Sequence, residues 1–263
     1  MAEKTKDEQL SSAARKGNLE KVLSLCSDPA VNVNWQNEKG LTALYRACQN
    51  GYPLIVEHLL AHPKIDPNLA KHTGATPLFI ACQNGHKEVV SVMLADPRVD
   101  PNKPWNDITP LWFACQEGHF VVVQHLLASG REIDTKMVST FNNNTAAEQG
   151  RREVPRGAND SEGDFQRKKI NGPKCADLVD EYEKDPDGVR TRLRGELGLP
   201  GSFIFQFLFR SSFHSPILIH RFDLPALKRP LPTPEEKYAF LEQLRGKKRG
   251  KITGMMSHQS EPR

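Results

Sequence analysis

Three cysteines and two histidines recur at near-constant spacing, and grouped thiols and imidazoles are what metal binding or nucleophilic catalysis would require. Cys48, Cys82 and Cys115 are 34 and 33 residues apart, and His86 and His119 are 33 apart. That regularity argues against a site. Side chains in the same place of successive packed helices stand about 8–10 Å apart, whereas a disulfide needs Cα atoms within about 4.4–6.8 Å and zinc needs closely paired ligands. The cysteines read as small packing residues, and the histidines, each following a glycine, as hydrogen-bonding partners of a turn. Cys26 and Cys175 have no partner spacing, so five thiols without a framework fit a reducing compartment. The sequence holds no phosphate loop, zinc helix of the His-Glu-x-x-His kind, nucleophile elbow or kinase signature. Catalysis, a cofactor and a metal are therefore not expected.

The elements that carry these residues repeat with them. The sequence reads TALYRACQNG from Thr42, TPLFIACQNG from Thr76 and TPLWFACQEG from Thr109, in steps of 34 and 33. An apolar pattern of this period marks a stacked helical array, in which each unit covers its apolar face with its neighbours. Thr76 and Thr109 are placed to cap a first helix, with Pro77 and Pro110 at its first position, and Gly85 and Gly118 stop it. A second helix follows, with Val89, Val90, Met93 and Leu94 on one side and the same places filled in the units before and after. The polar loops ending at Asn68 and Asn102 are rich in Pro, Asp and Asn. Because Asn tolerates positive φ, they read as hairpin-like projections. Counting back 34 puts Leu10, Ala13, Ala14 and Gly17 in register with Leu44, Ala47, Cys48 and Gly51, so the chain opens on a repeat with a charged, cap-like exterior.

These residues resemble the ankyrin repeat. Its Thr-Pro-Leu-His-x-Ala motif, followed by Gly-His and an Asn-containing loop, is matched at Thr76 to Ala81 with Gly85-His86, and at Thr109 to Ala114 with Gly118-His119. The resemblance implies an all-α ankyrin-repeat solenoid of stacked helix pairs over residues 7–152, in units of about 7–34, 35–68, 69–102, 103–135 and a degenerate 136–152. Tyr45, Phe79 and Trp112 replace the motif's His, so its hydrogen-bonding ladder is expected to be missing and an aromatic row to stand in its place. The resemblance also implies a protein-binding concave face. Its residues would be Glu38, Lys39 and Leu41, then His72, Thr73 and Ala75, then Trp105, Asn106 and Ile108 on the loops. Gln49, Asn50, Gln83, Asn84, Gln116 and Glu117 would extend it along the helices. Trp105 suits an interface anchor, and equally a ring folded back on a neighbouring loop.

Beyond the array, Thr145 lies in register for one more capped helix, and residues 153–169 read as a linker. Cys175, Leu178, Val179 and Tyr182, then Val189, Leu193 and Leu197, predict a short helical extension over 170–200 that closes the stack. Residues 201–263 read as an irregular basic tail with a helix near 234–246. Residues 1–150 hold 14 Lys and Arg against 16 Asp and Glu, whereas residues 201–263 hold 11 against 5. The array is thus no polyanion surface by charge. The function expected is a monomeric, non-catalytic intracellular adaptor or scaffold for an unidentified protein. The alternative is nucleic-acid or import-receptor binding through Arg245 to Lys251, which would add a nuclear address to a cytoplasmic one. Arg210, His214 and Pro216 interrupt the apolar run near Phe203, so no membrane span is expected.

Overall fold

The computed structural model describes residues 4–199, apart from 141, 153–156 and 158–159. Eleven helices and no strand occur among them. They form pairs: α1 (Lys6–Lys16) with α2 (Leu19–Cys26), α3 (Ala43–Gln49) with α4 (Pro53–Ala61), α5 (Pro77–Gln83) with α6 (Lys87–Ala95), and α7 (Pro110–Gln116) with α8 (Phe120–Ala128). After them come α9 (Ala146–Arg151), α10 (Glu162–Lys184) and α11 (Pro186–Glu196). The threonines cap as their positions predict: Thr42, Thr76 and Thr109 accept from the backbone N–H of Tyr45, Phe79 and Trp112. Thr145 and Glu148 form a capping box at α9.

First helices stack on first helices in the row α1, α3, α5, α7, α9, and second helices in the row α2, α4, α6, α8. Helices this short are not stable alone; the apolar seam between the rows holds them. Val56, Leu59, Val90, Met93, Val123 and Leu126 are wholly buried there, and burying such side chains contributes about 1.5–3 kcal/mol each before chain entropy. The cysteines share this core. All five are free, and burial raises the pKa of the Cys48 and Cys82 thiols, as an unreactive packing role requires. Cys115 meets Cys175 of α10, whose thiol hydrogen bond, with burial, raises the Cys115 pKa.

Polar rungs tie the loops together. Asn34 Nδ2 donates to Lys64 O at 2.7 Å while its Oδ1 accepts from Asp66 N at 2.9 Å. Asn68 does the same with Arg98 and Asp100, and Asn102 with Glu132 and Asp134. These asparagines were expected to supply positive φ. None does; their side chains bridge consecutive units in place of a backbone ladder. Arginines make a second series: Arg98 donates to Leu60 O, Arg131 to Asp96 O and Arg194 to Ala128 O. Each satisfies a carbonyl at the C-terminus of the preceding second helix, where the helix dipole also favours a cation.

The end of the stack departs from expectation. The linker expected over 153–169 is helical from Glu162, because Ser161 caps Asp164 N and the polar first turns pack as an ion-paired surface. The extension is thus a 23-residue α10 and an 11-residue α11. α11 packs on α8 and takes the next place in the second-helix row, while α10 lies against α7, α8 and α9. Two glycines permit that approach. A Cβ on Gly150 would stand 2.6 Å from Gly172 O, and one on Gly172 would stand 2.5 Å from Gly150 O.

Two stability measurements check this packing. Phe79→Ala is expected to cost about 3–5 kcal/mol in denaturant unfolding, since its ring is buried against Trp105 and Phe113, each 5.4 Å away between centroids. Asn68→Ala should cost about 1–3 kcal/mol, because it leaves Arg98 O and Asp100 N without their rung.

Candidate functional site

The loops vary in length in two places. Backbone pairing joins Asn37 N to Leu41 O and Lys71 N to Ala75 O, with three residues between, but Trp105 N to Ile108 O with two. This two-residue turn explains the single 33-residue step. Asn106 and Asp107 both take positive φ in it, 48° and 60°, as a tight hairpin of this kind demands. In the next unit Ser139 N pairs with Asn144 O, and the longer loop accounts for the later step from Thr109 to Thr145.

The short turn fixes Trp105. Its indole lies edge-on to Phe79 at an interplanar angle of 73° and is half-buried, and its Nε1–H has no acceptor. The ring is folded back on the array, and the residue stays half-buried. Ring contacts continue from Phe79 to Phe113 and from Phe113 to Trp112, 6.0 Å apart. Tyr45 stands outside that chain, beneath the Lys71 ammonium at 5.9 Å. The motif's hydrogen-bonding role is not wholly lost either. Trp112 Nε1 donates to Asn144 Oδ1 at 3.0 Å, and Asn144 Nδ2 donates to Gln149 Oε1 at 2.7 Å.

Of the residues expected on the binding face, Glu38, Lys39, His72, Thr73, Asn106, Asn50 and Asn84 are exposed, and Gln49, Gln83, Gln116 and Glu117 are half-exposed. Ala75 and Ile108 are not available. They are buried, at 3% and 8% exposure, because the closing residue of each hairpin tucks under its loop. Leu41 packs partly on the core for the same reason. Gln49, Gln83 and Gln116 occupy the same place on α3, α5 and α7, and their side-chain amides make no hydrogen bond among the described residues. Their engaged groups are main-chain carbonyls: Gln49 O accepts from Asn84 Nδ2 at 2.9 Å and His86 Nε2 at 3.0 Å, and Gln83 O accepts from His119 Nε2 at 3.0 Å. The histidines therefore bond the preceding unit rather than only their own turn.

Glu117 is committed. Lys168 of α10 reaches it at 3.1 Å and Asp160 at 3.0 Å, while Arg167 Nε donates to Glu117 O at 3.0 Å and Nη1 pairs with Asp164. Burial opposes the charge on Lys168, but the two carboxylates outweigh it and hold its pKa above the ordinary value. Gly118 allows this closure: a Cβ there would stand 2.7 Å from Arg167 O. A polar cleft of about 390 Å³ remains beside it, lined by Gln83, Asn84, His86, His119, Asp164 and Arg167 among others. Sequence reasoning missed this cover, because the first turns of α10 carry no apolar period.

The family described as ankyrin repeats (3 copies) matches residues 10–105 and 55–137. The chain is an ankyrin repeat protein. The matched span ends in the loop before α9, so α9 to α11 lie beyond it. A search of the curated proteins finds no match. The basic cluster Arg245 to Lys251 and the helix expected near 234–246 lie outside the described residues.

His119 offers a check on the inter-unit bond. Burial, then the nearby Arg167 guanidinium, lowers its pKa from 6.5 to about 4, so the folded chain holds it neutral where the unfolded chain protonates it. Its stabilising contribution is complete above about pH 6.5 and is lost as pH falls towards 4, on the order of 2 kcal/mol for a partly screened group. Denaturant unfolding from pH 7 to pH 4.5 should show a steeper loss for the wild type than for His119→Gln. His58 and His125, which burial also lowers, remain common to both proteins.

Proposed function

We propose that this ankyrin repeat protein is a non-catalytic, monomeric intracellular adaptor that grips a protein partner on the first-helix face. Ankyrin repeats are generally protein-interaction modules, and proteins built from them are typically non-catalytic. The observation that carries the reading is the aligned row of Gln49, Gln83 and Gln116. Three half-exposed amides, one per unit, keep donors and acceptors unused. An extended polypeptide laid along the row would supply a carbonyl and an N–H to each, which side chains evenly spaced on a rigid stack can meet without reordering. Hairpin tips at Lys39, Thr73 and Asn106 would flank it, with the Trp105 edge as an apolar contact. No helix among the described residues is long and apolar enough to cross a membrane.

The test is affinity capture from cell extract with the full chain, quantified by mass spectrometry. Gln49→Ala/Gln83→Ala should lose at least about tenfold of the partner signal, with its melting temperature within about 2 °C of the wild type. Glu57→Ala, on the exposed side of α4, should retain the partner. Proteins lost equally from both variants, or from neither, would count against the first-helix face.

A further inference from the structure

Counted by register, the first-helix face changes chemistry along the stack. The places held by Gln49 and Asn50 on α3 and by Gln83 and Asn84 at α5 are held by Arg15 and Lys16 on α1. At the far end they are held by Gln116 and Glu117, and Glu117 is already neutralised by α10. A second line runs Ser12, Arg46, Ile80, Phe113. The open part of the face is therefore cationic at its start, amide-rich in the middle and aromatic towards its end.

Arg46 is the informative residue. It is half-buried, and of its five N–H donors only Nε has an acceptor among the described residues, Ser11 Oγ at 3.0 Å. Its charge is uncompensated, and the neighbouring cation is Arg15, which together with burial lowers the Arg46 pKa. Among the described residues Arg15, Lys16, Lys39 and Arg46 make no ion pair. Lys71 is spent on the Tyr45 ring, and Glu38 is the one carboxylate on the same hairpin as Lys39. Two adjacent guanidiniums, one partly desolvated, cost free energy in the free protein. A carboxylate that accepts from both removes that cost, so complementarity here favours an anion strongly.

We infer that the partner is an acidic, extended polypeptide segment whose carboxylates dock on Arg46 and Arg15 and whose apolar side chain rests on Phe113 beside Trp105. This rests on the protein-binding reading above and narrows it to one class of sequence. The spacing follows from the stack. Arg46 and Phe113 are two units apart, about 20 Å at an ordinary helix separation, which an extended chain covers in about six residues. A nucleic acid fits less well, since the cations are confined to one end and residues 1–150 carry more Asp and Glu than Lys and Arg.

The experiment pans a display library of random linear peptides on the full chain, then measures the selected peptides by fluorescence anisotropy. Expected are sequences rich in Asp and Glu, with an aromatic or aliphatic residue about six positions away. Changing their Asp and Glu to Asn and Gln, or changing the protein by Arg15→Glu, should each weaken binding at least about tenfold. Arg15 is exposed and unpaired, so that variant keeps its fold; Arg46→Gln gives the matching loss with a side chain that can still bond Ser11. Peptides without acidic bias, or indifferent to both arginine changes, would overturn the inference. If such peptides still fail to bind Gln49→Ala/Gln83→Ala, the protein-binding face stands and only the acidic partner falls. Failure to select any peptide overturns the inference, as does a single-stranded oligothymidylate that binds more tightly than the best peptide.

Discussion

The structure depends on one constraint: no unit can satisfy its own polar groups or cover its own apolar face. Each loop ends in an asparagine whose amide is used up by the next loop, donating to one carbonyl and accepting one N–H. From α4 onward, each second helix ends in a carbonyl that an arginine of the following unit fills. The apolar seam beneath is non-directional and would tolerate sliding. The rungs fix the register, since a slip of one residue would leave a donor and an acceptor unpaired in every loop. Evenly spaced first helices, and hence the aligned glutamines, follow from that register.

The array's architecture was legible because its signals are local and repeated. Thr76-Pro77 and Thr109-Pro110 each state a helix start, Gly85 and Gly118 each state a stop, and the 33-to-34-residue period multiplies the evidence. What escaped was of two kinds. Some bonds join residues more than 30 positions apart, such as Arg131 to Asp96 or Trp112 to Asn144, and nothing in the side-chain type names its acceptor. The asparagine rungs were visible as spacing, with Asn34, Asn68 and Asn102 each 34 apart, yet Asn in a loop also suits positive φ, and only the geometry separates the two uses. The other kind was α10, whose opening turns are mostly polar and carry no apolar period, and so read as linker. A helix stabilised by ion pairs with a scaffold carries no apolar period of its own.

The proposed binding face was read as a set of positions, and burial removes some of them. Ala75 and Ile108 have the right register and the wrong burial. Trp105 had two readings, and the geometry bears on the packing one: the two-residue turn folds the ring onto Phe79 and leaves the residue half-buried. The 33-residue step was in view from the start, but its meaning, a shortened hairpin that redirects an aromatic ring, needed the backbone.

How the stack ends determines which part of the face is free. A repeat array must cover the last apolar surface it exposes. Here α11 does so on the second-helix row by packing on α8, and α10 must run alongside α9 and α7 to reach it. That path brings Arg167 and Lys168 over Gly118 and onto Glu117, so the covering of the core also occupies the last places of the proposed binding face. At the other end no described element lies over the face: α1 is capped by its own Thr5–Glu8 box, and Arg15 and Lys16 of its last turn are exposed. In the proposed reading, the extension that closes the stack leaves the earlier units, where the cations lie, for recognition.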